Sequence, residues 1–254
     1  MIFDFLQPAR VNSYWWREVP NFGDGLAPFL LERFAGIKVR WDTISHSSIA
    51  SVGSILEHIP PLWDGHILGS GKLMEFSRLH LHTKTAKIWA IRGPLSARGI
   101  PGTFALGDPG LLADELVGPQ EKVWDLGIIP HWQDTTLALN PRRWCPVPHT
   151  YTIIDPSGDP LEVVRNIGRC RKVVTSSLHG MIVADAFRIP HRVEICAAME
   201  KDGGDFKFRD YASSIQLAFE VGKLQEASHF RVEDLQFELW DAYRAMGAAI
   251  KKEL

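Results

Sequence analysis

The sequence has few cysteines, no long apolar run and almost no net charge, and each shortage excludes a class of protein. Its three cysteines, Cys145, Cys170 and Cys196, are odd in number and form no C-x-x-C pair, so neither a disulfide framework nor a structural zinc site is expected. No stretch approaches the roughly 18 apolar residues of a membrane-spanning helix. The formal net charge of −2 gives no sign of a surface built to bind nucleic acid.

What the sequence does contain is typical of a globular protein from a reducing compartment. Of its 254 residues, 45% are hydrophobic and 23% are charged, which argues against disorder. Residues 1–8 carry an acid where a signal peptide would carry basic residues. We therefore expect a cytoplasmic protein, either free in solution or held peripherally at the inner face of the membrane. The nine tryptophans are spread along the chain, and such rings fill cores or stack on sugars.

Apolar segments followed by polar turns and helical segments recur along both halves of the chain. This alternation predicts an α/β fold of two Rossmann-like, doubly wound lobes with parallel sheets and a ligand cleft between them. The polar stretch around Gly118 and Pro119 places the boundary, giving lobes of residues 1–117 and 118–254. Residues Val232–Lys251 have helical apolar spacing and predict a C-terminal bracing helix.

Two glycine-bearing turns follow predicted strands in the first half. In the turn Asn21–Gly25, the glycines allow a ligand to approach the backbone, while Asn21 and Asp24 either bind hydroxyls or cap the next helix. The turn Gly69–Lys72 has neither the Walker spacing nor the G-x-G-x-x-G pattern, so it gives little support for nucleotide binding. We expect its backbone to pass close to another group, such as the same ligand.

Charged side chains follow the next two predicted strands. Arg92 ends the apolar segment Ala86–Ile91 just before Pro94, which predicts a helix start. Its guanidinium suits a carboxylate or a phosphate. The alternative is that Arg92 pairs with a structural acid such as Asp108, which follows the next strand.

The second half repeats this arrangement. His131 ends a predicted strand, with Asp134 just beyond it. Farther along, strand Lys172–Thr175, turn Ser176–Gly180 and a helix beginning near Met181 form a unit of the kind that holds anions, because unpaired N–H groups and the helix dipole point to one place. His179 lies at this point. The alternative is that Ser176 or Ser177 only caps the helix and that His179 is a surface histidine.

Taken in order, these motifs resemble the polysaccharide pyruvyl transferase family, and most closely the bacterial exopolysaccharide ketal-pyruvate transferases of the succinoglycan type. The resemblance extends from about Val11 to Tyr211 and depends on the order of the motifs. They are Asn21–Asp24, Gly69–Gly71, Arg92–Ala97, Leu106–Gly110, the strand ending in His131, and Thr175–Gly180 followed by Ala184 and Pro190.

The resemblance implies a GT-B-like fold and a reaction in which phosphoenolpyruvate is the donor. A terminal hexose of a glycan or lipid-linked repeat unit would be the acceptor, and the products would be a cyclic pyruvate ketal and phosphate. No cofactor other than this donor substrate is implied, and no metal site or nucleic-acid partner is expected. The sequence does not predict the oligomeric state.

The resemblance also suggests roles for individual residues. His179 would act as an acid or as a phosphate ligand of the donor. Candidates for accepting the hydroxyl proton are, in falling order, His131, Asp134, Asp24 and Asp108, and Arg92 completes the catalytic set. The remaining donor-binding residues are Ser176, Ser177, Leu178, Gly180 and Lys207. The acceptor-binding residues, mainly in the N-terminal lobe, are Asn21, Gly23, Gly69, Ser70, Gly71, Asp108 and Asp134.

One position departs from the family pattern and keeps other functions open. Many members have an arginine where this chain has Ser177, so either Arg92, Lys207 or Arg209 supplies the missing charge, or donor binding is weaker or different. One alternative is a GT-B glycosyltransferase that uses a sugar nucleotide. Another is a non-catalytic sugar-binding or scaffolding protein of an envelope-polysaccharide assembly.

Overall fold

A computed structural model describes residues 10–79, 85–134, 136–138, 150–201 and 203–253. The chain forms an α/β fold with two mainly parallel sheets. The strands of one sheet come before the predicted boundary at residues 117/118 and those of the other come after it. The described residues do not include Trp144, Cys145 or the N-terminal segment 1–8.

The first sheet has six parallel strands in the order β2-β1-β3-β4-β5-β6. Its central strands are buried because the chain covers both of their faces, as is usual for parallel sheets. The strands are β1 (Val11–Tyr14), β2 (Val39–Trp41), β3 (Ile49–Ala50), β4 (His66–Leu68), β5 (Lys87–Ile91) and β6 (Ala105–Leu106).

The second sheet has five strands in the order β11-β10-β9-β7-β8. All of its pairings are parallel except that of the edge strand β11 with β10. The strands are β7 (Leu126–Ile129), β8 (Tyr151–Ile153), β9 (Val173–Thr175), β10 (His191–Val193) and β11 (Leu224–Gln225). The α/β class with parallel sheets is therefore confirmed, whereas the GT-B-like arrangement of two lobes stays a prediction.

The helices between the strands differ in how they are buried. Helix α5 consists mainly of apolar and small residues, and all nine of them are buried. Helix α4 buries only one face, which includes Val163, Val164 and Ile167. None of the helices in the described residues combines the length and apolar composition needed to cross a bilayer. The α-helices are α1 (Phe22–Gly25), α2 (Ala27–Leu30), α3 (Ala113–Val117), α4 (Pro160–Gly168), α5 (Leu178–Ala186), α6 (Ala197–Glu200), α7 (Phe206–Ser214) and α8 (His229–Glu253).

Four short helical segments lie between these elements, and one predicted helix is not formed. A π-helical turn continues α2 over Leu31–Ala35, and 3-10 turns cover Ile44–His46, Leu56–His58 and Pro109–Leu112. The helix predicted to begin at Pro94 is wrong, because residues 94–99 form successive turns instead.

The long helix α8 leaves the second sheet and packs against the first. Tyr243 Oη lies 3.2 Å from Ser51 Oγ, and Gly247 lets the helix approach the Ala35 carbonyl, which a Cβ atom would overlap. Leu239 packs close to Gly107, after β6. The predicted bracing helix is thus present. The division into residues 1–117 and 118–254 stays a prediction.

Candidate functional site

A cavity of about 220 Å³, partly open to solvent, lies where the carboxyl ends of strands from both sheets meet. This is the usual place for a ligand site in α/β proteins. Its walls come from the segments after β1, β3, β4, β7 and β9, and from α7. The lining residues are Trp16, Asn21, Asp24, Ser54, Ile55, His58, Leu73, His131, Trp132, Gln133, Ser177, Leu178, His179 and Lys207.

His179 lies in the first turn of α5, immediately after β9. The Ser177 side chain caps this helix by accepting from the Gly180 N–H at 3.4 Å. The His179 ring meets the edge of Phe22, with ring centroids 6.3 Å apart. Gly23 is required beside it, because a Cβ atom there would overlap the imidazole. The prediction that Ser177 caps this helix is therefore confirmed, but His179 is a buried cavity residue and not a surface histidine.

The imidazole of His179 is neutral in the free protein. Burial is the main cause that lowers its pKa to about 3, and the positive charges of Lys207 and Arg92 and the nearby His131 act in the same direction. Its Nε2 atom makes no hydrogen bond to any of the described residues and lies 3.9 Å from Asp108 Oδ1. Neutral His179 can therefore gain a proton when a strongly anionic group binds beside it.

Asp24 is the second titratable group in the cavity, and α1 fixes its position. The Asn21 amide donates to Asp24 Oδ2 at 2.9 Å, while Asn21 Oδ1 accepts from the Gly23 N–H. Burial, followed by repulsion from Asp108, raises the Asp24 pKa to about 7, although Lys207 opposes the shift. Asp24 can therefore exchange a proton near neutral pH, as a general acid or base must.

Asp108 lies behind His179 and does not line the cavity. Its Oδ1 accepts from the Gly110 N–H at 2.8 Å, whereas no described residue donates to its buried Oδ2. Burial is the main cause that raises its pKa to about 6. Asp108 therefore acts on the cavity electrostatically, through His179 and Asp24, and the structure does not support its predicted contact with the acceptor.

Lys207, in α7, lines the cavity and is mostly buried. Its charge lowers the pKa values of both Asp24 and His179. Arg209, another candidate to compensate for Ser177, forms ion pairs with Asp205 and with Glu75 at a partly exposed position. Among the three candidates to supply the missing charge, Lys207 is the one whose side chain reaches the cavity.

The structure supports the structural interpretation of Arg92, with a different partner from the one suggested. The side chain is fully buried, and Nε lies 2.9 Å from Asp210 Oδ2. Its terminal nitrogens donate to Ser54 Oγ at 2.7 Å and to the Lys72 carbonyl at 2.6 Å. Arg92 is not among the lining residues, so the prediction that it contacts the donor is not supported.

The predicted acceptor contacts at Gly69, Ser70 and Gly71 are also not supported, because these residues pack against the protein itself. A Cβ atom on Gly69 would overlap the Pro109 ring, and one on Gly71 would overlap the Arg92 guanidinium. The Ser70 hydroxyl is buried and donates to the Ser51 carbonyl. The glycines are therefore needed for close packing of neighbouring segments.

Ser176 and Asp134 hold the segment after β7 in place instead of lining the cavity. Ser176 Oγ donates to Asp134 Oδ2 at 2.7 Å and accepts from the His131 N–H at 2.8 Å. Burial would raise the Asp134 pKa, but hydrogen bonds from Ser176, Thr136 and Leu137 outweigh it and lower the pKa. Gly180 lets α5 approach Thr175, whose hydroxyl a Cβ atom would overlap.

Half of the cavity lining was not predicted from the sequence. Trp132 directly follows His131, and Trp16 ends the aromatic segment at β1, so both belong to the tryptophan-rich signal but carry no motif. The other unpredicted residues follow strands β3, β4 and β7 without a recognisable pattern. They are Ser54, Ile55, His58, Leu73 and Gln133.

A cavity with buried, titratable side chains at the ends of parallel strands is typical of α/β enzymes. The family model for polysaccharide pyruvyl transferases matches residues 83–193. The chain is 29% identical over 220 residues to the succinoglycan biosynthesis protein ExoV of Rhizobium meliloti (strain 1021), covering 81% of this chain and 65% of that protein. It is 30% identical over 216 residues to uncharacterized protein L143 of Acanthamoeba polyphaga mimivirus, covering 79% of this chain and 72% of that protein.

The chain belongs to the polysaccharide pyruvyl transferase family. It spans 65% of the length of ExoV, which is less than two thirds. The matched segment 83–193 contains His131 and the Ser176–Gly180 turn but not Asn21, Asp24 or Lys207. The two parts of the chain thus contribute different side chains to one cavity.

Proposed function

We propose that the protein transfers the pyruvyl group of phosphoenolpyruvate to a terminal hexose of a surface polysaccharide or its lipid-linked precursor, forming a pyruvate ketal. The observation that carries the proposal is the presence of Asp24, His179 and Lys207 in one cavity. Family membership supports pyruvyl transfer, and the relative ExoV is a succinoglycan biosynthesis protein.

Phosphoenolpyruvate is a small anion of high charge, so a protein with a net charge of −2 must attract it locally. Lys207 provides a cation, and the first turn of α5 provides N–H groups and the positive end of a helix dipole. Negative charge beside His179 favours its protonated form. Donor binding therefore raises the pKa of His179 from about 3 and prepares it to act as an acid.

The reaction joins two acceptor hydroxyls to C2 of the donor. A proton added to C3 converts the methylene group to a methyl group, two C2–O(sugar) bonds form, and the C2–O(phosphate) bond breaks. Of the two hydroxyl protons released, one balances the proton added to C3 and the other leaves with phosphate. Ketal and phosphate therefore account for all atoms of phosphoenolpyruvate and the diol.

Asp24 and protonated His179 divide the proton transfers in this proposal. Asp24 accepts the proton of the first attacking hydroxyl, since its pKa of about 7 keeps a large fraction ionised at neutral pH. His179 donates the proton to C3 once the donor is bound. His131 lines the same cavity and is the alternative base.

Thermal-shift titration tests donor binding directly. Phosphoenolpyruvate should raise the melting temperature by mass action, and Lys207→Gln should reduce that shift while the control Lys201→Gln, at an exposed position, should not. A shift with UDP- or GDP-sugars alone would favour a sugar-nucleotide glycosyltransferase. No shift with either ligand would favour a scaffold.

Catalysis is tested by phosphate release in the presence of acceptor glycan. His179→Ala should abolish release and leave the fold intact, whereas His46→Ala should not, because the His46 side chain is 75% exposed and outside the cavity. Wild-type turnover by His179→Ala would contradict the proposal.

A further inference from the structure

Two tryptophans from different sheets form one wall of the cavity. Trp16 follows β1 and Trp132 follows β7, and their ring centroids lie 6.2 Å apart with planes inclined by 31°. Both rings line the cavity. Trp132 is 42% exposed, which leaves a large apolar surface open to solvent inside the cavity. This wall is called the tryptophan pair below.

The tryptophan pair differs chemically from the rest of the cavity. Asp24, His179 and Lys207 bear the charges and protons, whereas the pair offers flat apolar faces; His58 and Gln133 add hydrogen-bonding side chains to the same lining. Flat aromatic faces beside hydrogen-bonding side chains fit a sugar ring, whose C–H groups pack on the ring while its hydroxyls bond at the edge. A phosphorylated small anion gains nothing comparable from this wall.

Hydrogen bonds to Asp134 hold the backbone segment that contains Trp132. Asp134 Oδ1 accepts from the N–H groups of Thr136 and Leu137 at 2.9 and 3.1 Å, and its Oδ2 accepts from the Ser176 hydroxyl at 2.7 Å. These bonds tie the segment after β7 to the end of β9. The backbone that carries Trp132 is therefore held in place before a ligand arrives, which reduces the entropy lost on binding.

We infer that the tryptophan pair is the acceptor subsite and that it binds a pyranose ring by stacking. The inference rests on the proposed function, since it assigns the acceptor to one end of the same cavity. It replaces the acceptor contacts predicted at Gly69, Ser70 and Gly71, which pack within the protein. Because Trp16 and Trp132 belong to different sheets, the sugar would bridge the two halves of the chain.

Glycoside binding by single-residue variants tests the inference without requiring turnover. Methyl glycosides of glucose, galactose and mannose, and their β-linked disaccharides, are titrated by calorimetry into the protein without phosphoenolpyruvate, so that no reaction can occur. Trp132→Ala should weaken binding of the preferred glycoside by about tenfold or more. Trp132→Phe should recover part of the loss, because it keeps an aromatic face. Trp240→Ala is the matched control, since Trp240 is 38% exposed on α8 and outside the cavity lining.

The outcomes separate this inference from the proposed function. Support requires that Trp132→Ala loses glycoside affinity while its melting-temperature shift with phosphoenolpyruvate stays that of wild type. Wild-type glycoside affinity in Trp132→Ala, or no glycoside binding by the unchanged protein, would overturn the inference. If glycosides bind in a Trp132-dependent way but phosphoenolpyruvate never stabilises any variant, the proposed function fails and the sugar subsite stands.

Discussion

Arg92 and Asp210 form a fully buried ion pair, with Nε 2.9 Å from Oδ2, although 118 positions separate them in the sequence. Asp210 also accepts from the Ser96 backbone N–H at 2.8 Å. The pair joins the end of β5 to α7, and α7 carries Lys207 into the cavity. The position of the cavity cation therefore depends on a contact that is itself hidden from any ligand.

Removing one member of this pair should destabilise the protein strongly. Arg92→Ala or Asp210→Ala would leave an uncompensated buried charge and should lower the free energy of unfolding by about 3–5 kcal/mol. Arg92→Lys should also be destabilising, because lysine cannot reproduce three directed contacts. Urea denaturation measures these changes.

Arg209→Ala is the matched control, since Arg209 pairs with acids at a position 41% exposed. Its expected cost is about 0–1 kcal/mol. Wild-type stability in Arg92→Lys, combined with weaker binding of phosphoenolpyruvate, would instead place Arg92 at the donor.

Gly23→Ala should impair catalysis through the position of His179. An added Cβ atom would overlap the imidazole, so the ring must move, and a displacement of about 1 Å can reduce a rate on the order of a hundredfold. Phosphate release measures the effect. Gly158→Ala is the control, because its nearest neighbours lie 3.4 Å from the new atom. Equal activity of the two variants would show that the His179 position is not critical.

Asp24→Asn should stabilise the protein at alkaline pH while reducing its activity. The folded-state pKa of Asp24, about 7, lies above the ordinary 3.8. Its stability contribution is therefore fully present below about pH 4 and is lost as the pH rises through about 7. The free energy of unfolding of the variant should rise relative to that of the wild type between about pH 4 and 7, by on the order of a few kcal/mol, and the difference should persist above pH 7. Urea titrations across this range measure the gain.

Asp155→Asn gives the opposite sign and serves as the control. Hydrogen bonds from Ser157 lower the Asp155 pKa, so its contribution is present at neutral pH and is lost on acidification. In activity, kcat/KM for the acceptor should rise with pH through about 7 in the wild type and lose this transition in Asp24→Asn. An unchanged transition would assign it to another group, such as His131.

Local chemistry made part of this structure predictable. The apolar strand β9, the capping Ser177 and the small apolar residues of α5 are neighbours in the sequence, so the position of His179 at a strand end followed directly. The predicted strand-end cavity and the C-terminal helix followed from similar patterns. Asn21 and Asp24 were found in the same way, and the structure shows that Asn21 both caps α1 and holds Asp24.

The remaining features depend on contacts that no local pattern specifies. Arg92 follows a strand as a ligand-binding arginine would, but its partner Asp210 lies on a distant helix. The glycines at 69 and 71 correctly indicated a close approach, but not that Pro109 and Arg92 are the groups approached. Trp132 belongs to no motif, and its place in the cavity wall depends on its contact with Trp16, which follows a strand of the other sheet.

The packing of α8 has a consequence for how the chain is made. Ser51 and Tyr243, in contact at 3.2 Å, are 192 positions apart, so a helix synthesised after both sheets covers part of the first sheet. A nascent chain that has emerged from the ribosome only through β6 has an uncovered apolar face, which favours aggregation. The apolar face of the first sheet must therefore be protected, by chaperones or by local compaction of the chain, until α8 has been synthesised.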